Sequence, residues 1–359
     1  MGAAAIGHEV HVLAPDYHRG SIPEDGALPF VVERFHGDFC SVVSTDGIVR
    51  HTVRVHRAVR RFRADIVHAV DPPSQMALAM LARLGLVRRH FLTVHGTELL
   101  RYRREPFPRL WMWGAMRRAT AVCAVSDAVR QLLVDSFPTR PDTVFVSHPG
   151  IVDRWFEAPR SERERVREAW GVSGDDVVML TLARRVPEKG HLDVIDALAL
   201  LPIETRRRIA YVVAGTGPSA YAQDLVRAAG RAAVRLHLPG ALTDEQAIEA
   251  ADAADLFVLL SRETPRRLEG LGLAFLEAAA RSLPALARDT GGVREAVRHG
   301  ESGILLPASA TAADAAAQMR RLACEPELRS RLGAAAARYA AAFTLHRHAG
   351  EVYDRFLAA

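Results

Sequence analysis

The stretch VVMLTLARRVPEKG occupies residues 177–190. Its first seven residues are almost all apolar, which is typical of a strand covered on both faces of a parallel sheet. The turn after them contains Pro and Gly and marks the point where the strand should end. Comparable apolar runs recur further along the chain, at residues 209–215, 234–240, 255–261, 283–288 and 303–307. Because helical segments separate these runs, they predict a doubly wound α/β sheet.

The first half of the chain shows the same alternation. Its predicted strands lie at residues 8–14, 65–70, 90–95, 121–126 and 143–148. Pro and Gly interrupt the pattern in PGIVDRWFEAP (149–159), so the sequence predicts two Rossmann-like domains, 1–152 and 153–344, with a ligand cleft between them. Residues 345–359 are predicted to form a helix that packs back on the first domain.

The opening of the chain departs from the usual start of such a domain. A doubly wound domain normally begins with a strand, a Gly-rich turn and a helix. Here MGAAAIG (1–7) leads directly into the strand predicted at 8–14. We therefore expect the first βα unit to be missing, and we favour a start placed downstream of the genuine one as the explanation.

The composition limits the class of protein. The 359 residues are 49% hydrophobic and 25% charged, which fits a folded globular chain and excludes a disordered one. No apolar run approaches the roughly 20 residues of a membrane helix, and the start lacks the basic flank of a signal peptide. A cytoplasmic location is expected, with peripheral contact at the inner face of the membrane left open. Cys40, Cys123 and Cys324 lack metal-binding spacing and are expected to be reduced core thiols.

The charged residues are unevenly distributed along the chain, and nearly all of the basic ones are arginine. The formal net charge is +5, and the excess lies in the first 150 residues, with 19 arginines against 14 acidic residues. This imbalance is too small for a nucleic-acid footprint, and no base-binding motif accompanies it. Of the 47 basic residues, 46 are arginine and one is Lys189. One lysine can survive by chance, but a compact ammonium binds differently from a guanidinium, so Lys189 is a candidate functional residue.

Two glutamates frame a glycine-rich turn in EGLGLAFLE (269–277). Gly270 and Gly272 allow backbone amides to approach an anion, and the helix start after them supplies unpaired N–H groups. Glu277, inside that helix, could accept hydrogen bonds from two neighbouring hydroxyls, as the acidic residue of dinucleotide folds does for ribose. A surface turn followed by a solvated glutamate would give the same pattern, so the pair alone does not define a site.

Arg184 and Lys189 follow the strand predicted at 177–183. Ligands of open α/β sheets bind at the carboxyl ends of the strands, and a guanidinium with an ammonium there can neutralise a leaving diphosphate. A solvated basic loop is the alternative interpretation. The lone lysine and the glycine-rich turn occur in the same predicted sheet, and this joint occurrence favours a phosphate site.

Together these segments resemble the family-four retaining glycosyltransferases of the GT-B fold. The resemblance is carried by LARRVPEKG, VVAGTGP, LHLPGALTDEQ, the Glu-x7-Glu element, DTGGVREAV and GESGILLP, and in the first half by GHEVHVLAPD, DIVHAVDP, TVHGTEL, AVSDAVR and HPGIV. It extends over nearly the whole chain from residue 7. Ala183 departs from it, because the family often has Gly there, and the family's first strand and glycine loop have no counterpart.

The resemblance implies how a donor diphosphate would be bound. Arg184 and Lys189 would hold its phosphates, assisted by the backbone around Gly272 and Leu273. Gly215, in VVAGTGP, would also contribute to donor binding. No cofactor is expected. A catalytic metal is not required either, because the sequence has neither an Asp-x-Asp nor an HExxH motif.

The resemblance also implies contacts to the sugars. Glu277 would bind the ribose hydroxyls, and Glu269, beside Gly270, would contact hydroxyls of the transferred sugar. His95, in TVHG, would face the reacting end of that sugar across the cleft. On sequence alone, a strand-end histidine bonded to backbone is an equal interpretation of His95.

The implied reaction is transfer of a hexose-type sugar from a nucleotide diphosphate sugar to an acceptor hydroxyl, with retention of configuration. A UDP-linked donor is preferred and a guanosine donor is open. The acceptor can be a lipid, a polysaccharide, an inositol phosphate or an aglycone, and no nucleic-acid partner is expected. Three alternatives are a sugar-nucleotide epimerase of GT-B-like fold, a pyridoxal phosphate-dependent phosphorylase using Lys189, and a non-catalytic sugar-nucleotide-binding protein.

Three further features have simpler interpretations. Ser126 is predicted to cap the helix that follows it. Trp111 and Trp113 are predicted to pack within the protein rather than to anchor it to lipid. Arg266 and Arg267, just before the glycine-rich turn, are either solvated or placed for an anionic acceptor.

Overall fold

The computed structural model describes residues 1–16, 23–36 and 45–359. The strands in these ranges are β1 (His11–Asp16), β2 (Val31–His36), β3 (Val67–Ala69), β4 (His90–Val94), β5 (Ala121–Ala124), β6 (Val144–Val146), β7 (Val177–Leu182), β8 (Ile209–Ala214), β9 (Arg235–Gly240), β10 (Leu256–Leu259), β11 (Ala285–Arg288) and β12 (Gly303–Leu306). The helices are α1 (Gly2–Ala5), α2 (Thr45–Phe62), α3 (Pro72–Arg83), α4 (Thr97–Tyr102), α5 (Pro106–Arg118), α6 (Asp127–Ser136), α7 (Arg154–Glu157), α8 (Arg163–Ala169), α9 (His191–Ala199), α10 (Ile203–Arg207), α11 (Ser219–Ala232), α12 (Asp244–Ala253), α13 (Leu273–Ala280), α14 (Val293–Ala296), α15 (Ala312–Cys324), α16 (Pro326–Ala340) and α17 (Leu345–Ala358). In the described ranges, no helix has both the length and the apolar character needed to cross a membrane.

The described chain forms two compact units. One consists of Met1–Gly150 with Leu345–Ala359, and the other consists of Ile151–Thr344. The division falls just before the boundary predicted at residue 152. Ile151 already belongs with the second unit, because its N–H donates to the carbonyl oxygen of Phe343 over 2.9 Å.

The second unit contains a six-stranded parallel sheet in the order β12-β11-β10-β7-β8-β9. All six of its strands lie within the runs predicted from the sequence. Chain order proceeds outward from β7 to β8 and β9 on one side, and from β10 to β12 on the other. The reversal between β7 and β10 is the switch point at which open α/β sheets bind ligands.

Two hydrophobic cores cover the faces of this sheet. In β7, Val177 and Met179 contribute to one core, whereas Val178 and Leu180 contribute to the other. The first core includes residues of α9, α11 and α15, and the second includes residues of α12 and α13. Because both faces are covered, the strand is apolar at almost every position instead of alternating with polar residues.

The first unit contains a four-stranded parallel sheet, β3-β4-β5-β6, and a separate parallel pair, β1-β2. The sequence analysis missed β2, because Glu33 and Arg34 interrupt its apolar pattern. Val31 at its start is 52% exposed, so this strand lacks the continuous apolar character that identifies the buried strands.

Helix α17 packs in the first unit. The Phe356 ring stacks on the Phe91 ring with centroids 4.0 Å apart, and Arg89 donates to the carbonyl oxygen of Phe356 over 2.8 Å. Cys123 lies in the same buried cluster, where burial raises the pKa of its thiol to about 12. Cys324 is exposed at the end of α15, so its predicted core position was wrong. Cys40 lies outside the described residues.

Candidate active site

Two of the predicted site residues meet at the switch point of the second sheet. Lys189 follows β7 and Glu269 follows β10, and these two strands are neighbours. Lys189 Nζ donates to Glu269 Oε2 over 2.7 Å. Ser261 Oγ donates to the same carboxylate oxygen over 2.9 Å. The fold therefore joins residues separated by 80 positions in sequence into one ion pair.

This ion pair lies partly below the surface. The side chain of Lys189 is 20% exposed and that of Glu269 is 15% exposed. A short, charge-assisted hydrogen bond in such surroundings is stronger than an exposed one. Lys189 has further donor capacity on its ammonium, so an anion entering from solvent could share it with Glu269.

The glycine-rich turn ends in a helix start beside this pair. Gly272 is the N-cap residue of α13 and has φ of +88°. A Cβ atom there would lie 2.7 Å from a ring carbon of Phe275, so glycine is required. Leu273, the first helical residue, is exposed. The first-turn N–H groups of a helix lack partners within it, and the positive end of the α13 dipole attracts anions.

Glu277 lies on α13, one helical turn after its start. Burial raises the pKa of its carboxyl group to about 7, and the nearby Asp244 carboxylate adds to the increase. Glu277 is therefore a partly buried group whose charge changes near neutral pH. Gly270 lies half-buried between Glu269 and Gly272 in the same turn.

Arg184 and Gly215 lie on neighbouring loops. Arg184 is exposed just after β7, and Gly215 follows β8 with φ of +145°. A Cβ atom on Gly215 would lie 2.0 Å from the carbonyl oxygen of Ala183. The Gly215 N–H donates to the carbonyl oxygen of Gly240 over 2.7 Å. Gly215 therefore permits the close loop packing that positions the backbone before Arg184.

His95 lies in the first unit, directly after β4. The residue is exposed, and its backbone N–H donates to the carboxylate of Glu98 at the start of α4. Gly96, the next residue, has φ of +105° and is the N-cap of that helix. The functional role of the His95 side chain stays a prediction.

Sequence reasoning missed an ionic network around the buried Asp193 behind the site. Asp193 accepts hydrogen bonds from Arg288 and Arg262, each at 2.8 Å. Arg288 also donates to the carbonyl oxygen of Leu260 over 2.8 Å. The network fixes the end of β10, from which Ser261 reaches Glu269. No sequence motif connects these residues, because their partners come from separate βα units.

The two arginines before the glycine-rich turn have different surroundings. Arg267 Nε lies 2.9 Å from Glu188 Oε1, so it links this loop to the turn that carries Lys189. Arg266 is exposed. In the part of the chain that the structure describes, no three His, Cys, Asp or Glu side chains group as metal ligands would.

Gly190→Ala is expected to destabilise the second unit by about 2 kcal/mol or more, because it combines backbone strain with a steric clash. Gly190 has φ of +70°, and a Cβ atom would lie 2.1 Å from the carbonyl oxygen of Leu260. Thermal unfolding should show a melting temperature lower by roughly 4–8 °C. Gly230→Ala in α11 is the matched control, because its added methyl meets nothing within 4 Å. Equal melting of both variants would contradict the packing described here.

Comparison with known families covers both units. The family described as Glycosyltransferase Family 4 matches residues 2–154, and the family described as Glycosyl transferases group 1 matches residues 162–339. The chain belongs to the family-four glycosyltransferases, and its predicted α/β fold of the GT-B type is confirmed.

Two curated relatives and one solved structure illustrate the similarity. D-inositol 3-phosphate glycosyltransferase of Streptomyces bingchenggensis (strain BCW-1) is 29% identical over 83% of this chain and 62% of its own length. GDP-mannose-dependent alpha-(1-6)-phosphatidylinositol monomannoside mannosyltransferase of Mycobacterium tuberculosis is 28% identical over 74% of this chain and 69% of its own. Sucrose-phosphate synthase from Thermosynechococcus elongatus superposes with a TM-score of 0.83 at 18% identity, over 99% of this chain and 91% of that one. The chain thus spans less than two thirds of the first relative's length.

Proposed function

We propose that this chain transfers a hexose-type sugar from a nucleotide diphosphate sugar to an acceptor hydroxyl, with retention of configuration and without a catalytic metal. The observation that carries the proposal is the meeting of Lys189, Glu269 and the glycine-led start of α13 at the switch point of the second sheet. An ammonium, a sugar-binding carboxylate and an anion-binding helix end are the groups that such a donor requires.

The diphosphate is assigned to Lys189, Arg184 and the first turn of α13. Lys189 and Arg184 both follow β7, and the backbone at Gly272 and Leu273 follows β10. Their positive charges and the helix dipole would stabilise the negative charge that grows on the departing phosphate. Gly215 contributes by holding the neighbouring loop.

The sugar is assigned to Glu269, which Lys189 and Ser261 hold by hydrogen bonds. Both bonds go to Oε2, so Oε1 has capacity to accept from sugar hydroxyls. Assignment of the reacting end of the sugar to His95 rests on the family resemblance.

In the proposed reaction, the bond from the anomeric carbon to the diphosphate oxygen breaks as the acceptor oxygen bonds to that carbon on the same face. The acceptor proton passes to the departing phosphate oxygen. Lys189 and Arg184 offset the charge on that phosphate. Because attack and departure take place on the same face in one step, the transfer needs no covalent intermediate on a protein carboxylate.

Donor binding is expected to strengthen as pH rises through about 7, because the ionised form of Glu277 accepts hydrogen bonds from ribose hydroxyls. Burial raises the pKa of Glu277 to about 7. If only that form binds, affinity for UDP-glucose should be about tenfold lower at pH 6 than at pH 8. Isothermal titration calorimetry measures this directly. Glu277→Gln should bind weakly at both pH values, and a native chain with pH-independent affinity would argue against the ribose role.

A UDP-linked sugar is the first donor to test. GDP-mannose is the second, because the name of one relative describes it as GDP-mannose-dependent. The relatives' names point to inositol phosphate and phosphatidylinositol mannoside as acceptors to test. We further propose that the chain acts in the cytoplasm, where contact with the inner face of the membrane would give it access to a lipid acceptor.

The proposal is tested with a thermal-shift panel of nucleotide sugars, followed by mass spectrometry of products formed with candidate acceptors. The expected result is stabilisation by one donor and an acceptor heavier by one sugar. Conversion of the donor to an isomer without acceptor would instead establish an epimerase. Binding without turnover of any donor, with every acceptor, would establish a non-catalytic binding protein.

A further inference from the structure

Helix α5 carries large apolar side chains on its solvent side. Leu110 is 64% exposed, Trp111 is 36% exposed and Trp113 is 39% exposed. Trp111 and Trp113 were predicted to pack within the protein, but each leaves more than a third of its surface exposed. Exposed apolar surface of this kind costs free energy in water.

The packing of α5 does not need these three side chains. Met112, Ala115 and Met116 are almost completely buried and supply the inward face of the helix. Leu110 and Trp113 are three positions apart and share the opposite stripe, which Arg117 continues. Trp111 borders this stripe on the other side of Leu110, so the solvent side of the helix, from Trp113 through Leu110 to Trp111, is apolar and only partly covered in the described chain.

Positive charge surrounds the exposed apolar face. Residues 103–118 contain five arginines and one acidic residue, Glu105, whose Oε1 lies 3.7 Å from Arg101 Nε. The guanidinium of Arg117 lies 5.4 Å from the centre of the Trp113 ring. In the described chain, no carboxylate lies within ion-pair distance of Arg117 or Arg118. An anionic partner would therefore find their charges available.

Exposed apolar residues and an arginine also follow the end of α3. Leu84 is 68% exposed and Leu86 is 48% exposed, and Arg88 follows them in sequence. β4 and β5 pair in parallel, so the segments that precede them, from α3 and from α5, reach the same edge of the sheet. The topology thus places the exposed leucines and Arg88 at the edge where Arg118 ends α5.

We propose that this face docks on an anionic phospholipid surface. The docking face is defined by Leu110, Trp111 and Trp113 together with the arginines that flank them on α5, Arg109, Arg117 and Arg118. Tryptophan favours the interface between lipid headgroups and acyl chains. Arginine pairs with lipid phosphates while its aliphatic stem covers apolar surface. A protein partner would need a patch both apolar and acidic, whereas an anionic bilayer supplies both properties over any area.

The test is co-sedimentation of the full chain with vesicles, without nucleotide, so that its result is independent of the proposed enzymatic function. The vesicles are pure phosphatidylcholine, or phosphatidylcholine with a third of phosphatidylglycerol. The native chain should bind the anionic vesicles, release at high salt, and bind the neutral vesicles much more weakly. Phospholipids brominated along their acyl chains should quench its tryptophan fluorescence.

Two double variants locate the binding face. Trp111→Ser/Trp113→Ser and Arg117→Glu/Arg118→Glu should each reduce binding to anionic vesicles by roughly tenfold or more. The matched controls are Leu200→Ser/Val226→Ser, which removes two apolar side chains of the second unit that are more exposed than the tryptophans, and Arg231→Glu/Arg320→Glu, which reverses two exposed charges there. Both controls should bind as the native chain does. Circular dichroism and thermal unfolding check that all four variants are folded.

The proposal fails if the native chain does not sediment with anionic vesicles. It also fails if the α5 variants fold and bind within twofold of their controls. Self-association that depends on Trp111 and Trp113, in a chain that does not bind vesicles, would assign the face to a second copy instead.

Discussion

Lys189→Ala is expected to lower kcat/KM for sugar transfer by roughly 10²–10³-fold. Loss of one preorganised hydrogen-bond donor to a developing oxyanion has an effect of this size in other enzymes. Lys189 is the only lysine of the chain and pairs with Glu269 over 2.7 Å. Its removal takes away the charge assigned to the departing phosphate and also loosens the carboxylate assigned to the sugar. Steady-state kinetics with the donor identified by thermal shift measures the effect.

Controls separate this role from a structural one. Lys189 is partly exposed and Ser261 still donates to Glu269, so the variant should melt close to the native chain. Lys189→Arg should recover part of the activity, because it restores the charge but not the compact shape. Arg227→Ala, on an exposed pair with Asp224, should leave transfer unchanged. Near-normal turnover and unchanged nucleotide affinity of Lys189→Ala would remove the main site assignment.

Asp252→Ala is expected to destabilise the second unit by about 3–5 kcal/mol, the usual cost of leaving a buried charge unpaired. Arg281 donates to both carboxylate oxygens of Asp252, at 2.9 and 2.7 Å, and both side chains are almost fully buried. Arg160 and the backbone N–H of Ser161 donate to the same carboxylate. The melting temperature should fall by on the order of 10 °C.

The pH dependence of this destabilisation follows from the pKa of Asp252. Burial alone would raise that pKa, but the hydrogen bonds from Arg281, Ser161 and Arg160 outweigh burial and lower it. The carboxylate therefore contributes stability above its unfolded pKa of about 3.9, and this contribution is lost as pH falls through the lower folded pKa. Urea unfolding of the native chain and Asp252→Ala should differ most near neutral pH and converge in acid.

A matched control for Asp252 is Asp224→Ala. Asp224 also pairs with an arginine, but the pair is about half exposed, so its loss should cost well under 1 kcal/mol. If both aspartate variants unfold at the same urea concentration, the buried network around Asp252 does not stabilise the unit.

The strands of the second unit were predictable because each is a short apolar run covered on both faces. β2 was not predictable on the same rule, because Glu33 and Arg34 break its apolar pattern. For Trp111 and Trp113, the sequence indicated a helix but not how far these side chains are exposed. Helical spacing places side chains around a helix, but it does not show how far another element covers each of them, and here the cover is incomplete within the described chain.

Part of the candidate site could be identified from the sequence, and part could not. Gly272, Glu277, Arg184 and Lys189 were identifiable from turn chemistry, charge and spacing. The Asp193 network and Ser261 were not, because each partner comes from a different βα unit.

Local composition thus indicates where strands run, where turns fall and which residues are candidates for binding a phosphate, since these properties depend on near neighbours in the chain. The ion pair of Lys189 with Glu269 and the open face of α5 follow from the order of strands and the packing of helices. That order depends on contacts between residues far apart in sequence, so only the folded chain reveals them.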